Sequence, residues 1–188
     1  MILKKRLSSC LLLLSVSCFL TAQQPVSSQP TQIVVQTAAS ALVLQTDKSQ
    51  NLDIIYLGKK LQNADEYGQS PSMYRQSGDD GGMLSHAYTP AGTRNLAEPA
   101  ITVTHADGNN SLDLHYVSHQ VNKINEDVSL VSVLLKDPVY DFEVTLYYKT
   151  YFRENVVEQW SVIRHHEKGD VVLQKFASAN LYLRSESF

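Results

Sequence analysis

The run Phe142-Glu143-Val144-Thr145-Leu146-Tyr147-Tyr148-Lys149-Thr150-Tyr151-Phe152 alternates bulky apolar side chains with polar ones. On an extended backbone, Phe142, Val144, Leu146, Tyr148 and Phe152 share one face, and Glu143, Thr145, Lys149 and Arg153 share the other. Burying side chains of that size contributes about 1.5–3 kcal/mol each. A slip of one residue would exchange the faces, so the register of this strand is firmly specified. A half-buried β-strand is the reading.

The pattern continues on both sides of this run. Val156–Arg164 and Val171–Leu181 read as further strands, joined by the turn His165–Asp170 with its glycine at 169. Upstream, Val128–Leu135 is an apolar run stopped by Lys136-Asp137-Pro138. Leu112–His119 alternates, with Leu112, Leu114 and Tyr116 opposite Asp113, His115 and Val117. Ala100–His105 precedes Asp107-Gly108, a dipeptide that favours a hairpin. Nearer the start, Ile33–Val35, Ala41–Leu44 and Leu52–Leu57 are short β-rich runs, with Thr46–Gln50 as turn material and Gly58-Lys59-Lys60 as a stop. Short strands separated by turn signals predict an all-β fold, an antiparallel β-sandwich.

One stretch breaks the pattern. Asn63–Ala97 holds Pro71, Pro90 and the glycines Gly78, Gly81, Gly82 and Gly92, and carries little periodicity beyond one helical turn at Asn63–Tyr67. A loop of this length inside a compact domain is usually functional or disordered.

The N-terminus reads as an export signal. Lys4, Lys5 and Arg6 precede the apolar run Leu11–Leu14 and its continuation through Leu20, and Thr21-Ala22 gives a small-residue exit. The run is broken by Ser15 and Ser17 and is shorter than the ~20 apolar residues that span a bilayer. Residues 1–22 are therefore expected to be a signal peptide, 23–32 a flexible lead, and 33–188 the domain. Both cysteines, Cys10 and Cys18, lie in the signal, so cleavage after Ala22 leaves no thiol for a disulfide or a metal. A lipid anchor at Cys18 is the rival, disfavoured by Ser15 where a bulky apolar residue is usual. Either route takes the protein out of the cytoplasm, to the periplasm or the exterior. Cleavage removes three of 16 basic residues and none of the 19 acids, leaving a net charge of about −6 with no basic cluster for nucleic acid.

Several short motifs in one order resemble a known family. Glu98-Pro99-Ala100-Ile101, His105-Ala106-Asp107-Gly108 and Ser111–His119 are similar to the start of the N-terminal domain of glycoside hydrolase family 36, the α-galactosidase type. Further on, Leu135-Lys136-Asp137-Pro138, Phe142–Tyr148, Glu154–Trp160, Ile163-Arg164 and Ala177-Ser178-Ala179 follow that family's order over Ile33–Leu183. His115 departs from the family's usual Arg, and Gly92-Thr93-Arg94-Asn95-Leu96 is a loose version of its Gly-x-x-Asp-Phe-Arg. The resemblance implies a supersandwich-like β domain, incomplete in this chain, set before a (β/α)8 barrel. It also implies a parent enzyme that hydrolyses terminal α-galactosides with retention and forms oligomers.

That chemistry needs two carboxyl groups about 5–5.5 Å apart, which the family takes from its barrel, one in a Lys-Trp-Asp setting. Trp160 stands between Gln159 and Ser161, so no catalytic residue and no cofactor are expected here. The chain is accordingly expected to be a fragment or truncated product whose partner is the parent's barrel.

Candidate sugar-binding residues are Tyr74, Asp79 and Asp80, with Arg75, in the glycine-rich loop, against a plain solvated turn. Asp113, His115 and His119 share a predicted face and could be conceived as metal ligands, but surface histidines are the preferred reading. Trp160 with the Tyr147–Tyr151 strand is either a sugar platform or core, and core is preferred. The rival functions are a stand-alone carbohydrate-binding sandwich and a cell-surface interaction protein.

Overall fold

The computed structural model describes residues 30–69 and 84–181. The strands are β1 (Gln32–Gln36), β2 (Ser40–Thr46), β3 (Leu52–Lys59), β4 (Ile101–Thr104), β5 (His115–Lys123), β6 (Val128–Lys136), β7 (Phe142–Tyr151), β8 (Val156–His165) and β9 (Val172–Phe176), with a 3-10 helix at Ala64–Gln69. They form antiparallel sheets in the orders β1-β2-β3, β5-β6-β7-β8 and β4-β9. The fold is an all-β sandwich. Gln32 opens β1, and Thr31 N donates to Thr46 Oγ1 at 2.8 Å.

One apolar cluster joins the sheets. Phe142, Val144, Leu146 and Tyr148 of β7 and Val131, Val133 and Leu135 of β6 meet Ile33, Val35, Leu42, Leu44, Leu52 and Ile54 of the three-stranded sheet, with Ile101 and Val103 of β4. The continuous run Ala41-Leu42-Val43-Leu44 has no polar alternation because β2 is a middle layer. Leu42 and Leu44 face the main cluster, while Ala41 and Val43 face Tyr67 of the 3-10 helix. Tyr67 seats its ring 4.9 Å from Tyr56 and accepts a hydrogen bond from Leu61 N at 3.0 Å.

Three local expectations are corrected. Phe152 leaves the buried face, because β7 ends at Tyr151 and Phe152 enters the β7–β8 turn, where it lies exposed beneath Lys60. That turn closes on Asn155, whose positive φ of 57° suits asparagine, and its side chain bonds Thr37 and Ser40 of the β1–β2 turn. Asp107-Gly108 does make a turn, with Gly108 N donating to His105 O at 2.9 Å, but it builds no hairpin. Instead β4 pairs with β9, and residues 109–114 carry the chain over to β5. Lastly, β5 bulges at Val117: Tyr116 sits opposite Leu135 and Ser118 opposite Leu134. The extra residue turns His119 to the same side as Val133, while His115 sits opposite Lys136, so His115 and His119 occupy opposite faces.

The hydroxyl of Tyr148 is buried without a hydrogen-bond partner among the described residues, and burial pushes its ionisation far above the ordinary phenol range. Leu146 is fully buried one pair further along β7. In urea unfolding, Leu146→Ala is expected to cost about 2–5 kcal/mol. Tyr148→Phe is expected to leave stability equal or raise it by about 1 kcal/mol, since only an unpaired polar group is lost.

Candidate functional site

The sandwich gathers loops from distant parts of the chain at one end. The β2–β3 turn holds itself through Asp47 Oδ1, which accepts from Ser49 N at 2.7 Å and Asn51 N at 2.8 Å. It joins the start of β5, where Tyr116 N donates to Gln50 O at 2.7 Å. The segment from Leu84 to Ala97 runs along the edge of β3, with Ile54 N on Ser85 O and Ala87 N on Leu52 O, each at 2.7 Å. Asn95 folds that segment back on itself: its Oδ1 accepts from Leu84 N and its Nδ2 donates to Leu84 O, both at 3.0 Å. Gly92, with φ of 88°, lies so close to Ser111 that a Cβ would stand 2.6 Å from the Ser111 Cα. Asp137 fixes the β6–β7 turn by accepting backbone N–H bonds from Val139, Tyr140 and Asp113 at 2.7–2.8 Å.

Between these loops lies a cleft of about 580 Å³. Its floor includes Leu52, Tyr88, Leu112 and Leu135, all in the apolar core. Its rim is polar. His86 Nδ1 bonds Asp53 Oδ1 at 2.7 Å, a pairing set up by the β-bridge between those two residues. His115 bonds Ser49 O through Nδ1 at 2.7 Å and Asp113 Oδ2 through Nε2 at 2.9 Å. Asn109 Nδ2 donates to the Tyr140 hydroxyl at 2.8 Å, and that hydroxyl donates to Asp107 Oδ2 at 2.9 Å. Behind the rim, fully buried His105 meets Glu167 Oε1 at 2.8 Å and Ser111 O at 3.0 Å, with the Tyr140 ring stacked on it at 3.6 Å.

These contacts tune the rim. Partial burial pulls His115 toward the neutral form, but the bonds to Asp113 and Ser49 O and the charges of Asp113 and Asp137 outweigh it and raise its pKa. The backbone N–H of Asn109 and the phenol of Tyr140 hold the Asp107 carboxyl below its usual range. Burial, then donation to Asp107, pushes the Tyr140 phenol up.

Tyr74, Arg75, Asp79 and Asp80 lie outside the described residues, as do Cys10 and Cys18. Asp113 and His115 do come together, but as a rim ion pair, and His119 turns away to bond the Tyr116 hydroxyl at 2.8 Å. Among the described residues no group of three or more His, Cys, Asp or Glu is placed to hold a metal ion. Trp160 is not in the core cluster: it pairs with Tyr147 on the outer face of the four-stranded sheet, rings 5.1 Å apart and nearly parallel. Each ring covers a face of the other, which disfavours a flat sugar platform. His86, Arg94, Asn109 and Tyr140 were not indicated by the sequence. Asp53 and His86 are 33 positions apart, and only the bridge between them makes the pair visible.

The raised His115 pKa stabilises the fold below the ordinary histidine value, and that contribution is lost as pH rises through the raised one. Proton NMR titration of His115 should give a value above about 6.5, and Asp113→Asn should lower it.

None of the curated proteins matches the chain. Among solved structures, an α-galactosidase from Lactobacillus brevis is similar with a TM-score of 0.69 and 17% identity, covering 79% of this chain and 23% of that one. The α-galactosidase AgaA from Geobacillus stearothermophilus gives a TM-score of 0.69 and 19% identity over 79% of this chain and 24% of its own. A variant of that enzyme in complex with raffinose gives 0.68 and 20%, with the same coverage. The chain thus spans about a quarter of the length of these structures. The glycosyl hydrolase family 36 N-terminal domain matches residues 50–188, through the strands and loops that build the cleft. This chain belongs to that family, as its N-terminal domain.

Proposed function

We propose that this chain is the non-catalytic N-terminal β domain of an exported α-galactosidase, where it organises and shields a catalytic barrel and supports contacts between subunits. The match of the family's N-terminal domain over residues 50–188 carries this reading. The similar solved structures, which the chain covers to only 23–24% of their length, are named as α-galactosidases, and one is in complex with raffinose.

The surface is consistent with such a role. β8 ends the four-stranded sheet, and its outer edge has no strand partner among the described residues. Val156 and Val157 of β8 and Val172, Leu173 and Phe176 of β9 are exposed. A long apolar strand edge is an association hazard unless something covers it. A larger parent would supply that cover. The rival reading, a stand-alone carbohydrate-binding sandwich, is favoured by the cleft and requires the same edge to be tolerated bare.

In a colorimetric assay, the chain alone should release no p-nitrophenol from p-nitrophenyl α-D-galactopyranoside, whereas a parent that includes the barrel should. Hydrolysis by the chain alone would overturn the proposal. Export belongs to the same reading, supported by the Lys4–Arg6 head and the apolar run after it. N-terminal sequencing of the exported protein should begin at Gln23, while a blocked, lipid-labelled Cys18 would replace the cleaved signal with a lipoprotein anchor.

A further inference from the structure

We propose that the cleft at the end of the sandwich binds a neutral pyranoside, so that this domain holds sugar with its own residues. Its volume of about 580 Å³ lies within the roughly 300–1,000 Å³ of small-molecule sites. Leu84, Pro138 and Val139 give the cleft accessible carbon, above the buried Leu112, Leu135 and Tyr88, whose hydroxyl donates to Ala177 O at 2.8 Å. The rim supplies hydrogen-bonding groups that are held in place. His86 is fixed through Nδ1 by Asp53, and Asp113 through one oxygen by His115. Among the described residues, His86 Nε2, Asp113 Oδ1 and the Arg94 guanidinium have no partner, so donors and an acceptor remain for a ligand. Accessible apolar side chains beside a preset polar rim match a pyranose, which has a C–H face and a girdle of hydroxyls.

Charge selects for a neutral ligand. Arg94 and, when protonated, the His115 ring are offset by Asp113 and by Asp137, whose oxygens are already taken by backbone N–H groups. Neither a strongly anionic nor a strongly cationic ligand finds an excess of opposite charge. The first probe, a galactoside, rests on the family reading above, whereas the cleft itself does not.

Saturation-transfer NMR on the full chain with methyl α-D-galactopyranoside and methyl α-D-glucopyranoside tests this. Binding of a pyranoside that Arg94→Ala weakens about tenfold, and that Lys149→Ala on the outer sheet face leaves unchanged, is the expected result; loss of a bond from a charged donor is of that size. Arg94 is exposed and unpaired, so its removal should leave the melting temperature unchanged. No transfer to either sugar, or transfer insensitive to Arg94→Ala, would overturn the proposal while leaving the family reading standing. Binding of the glucoside alone would uphold the cleft and count against an α-galactosidase parent.

Discussion

The inward face of β7 is the surface on which the rest of the molecule is positioned. Phe142, Val144, Leu146 and Tyr148 contact the three-stranded sheet across the core while β6 and β8 pair along both edges of the strand. All ten residues of β7 have a partner on β8, and nine residues of β6 pair with it in unbroken register. Regular pairing on both sides leaves no freedom to slip, so the inward set is fixed by backbone and side chains together. Irregularity falls on strands nearer the edges, at Val117 in β5, around Ile55 in β3 and at Gln174 in β9.

Those irregularities serve the ends of the sandwich. The β5 bulge separates His115, which stays with the cleft loops, from His119, which turns inward toward Tyr116. At the opposite end, Asn155 ties the β7–β8 turn to Thr37 and Ser40, and Asp127 receives Arg153. The loops at each end are therefore braced by side-chain bonds between distant turns, on a scaffold whose layers are held by apolar contact. That division is common where loops carry recognition and strands carry stability.

The strands were legible wherever their signal was local. Alternation located β7, and the apolar runs located β1, β2, β3, β6 and β8 to within a few residues. What could not be read was partnership. Asp107-Gly108 specifies a turn through its own backbone preferences, yet whether the flanking strands pair depends on β9, about 70 residues away from β4. Likewise the bulge at Val117 leaves no mark in the sequence: it shows only in the register against Leu134 and Leu135. The cleft was hidden for the same reason. Its rim pairs, Asp53 with His86 and Ser49 with His115, join positions that share no motif. The resemblance in short ordered motifs, by contrast, was legible, because a family signature survives as local spacing.

The pairing of Ile101–Thr104 with Val172–Phe176 has a consequence for how the chain is made. One edge of a strand synthesised early must wait, unpaired, until nearly all of the following sheet has left the ribosome. β5 to β8 form consecutive antiparallel neighbours and can zip up in order; Ile101 has Thr89 and Ala91 on one side from the start, but the other edge of β4, with Val103, gains its partner only when β9 arrives. Late closure of this kind raises contact order, slows folding and prolongs the exposure of an apolar segment.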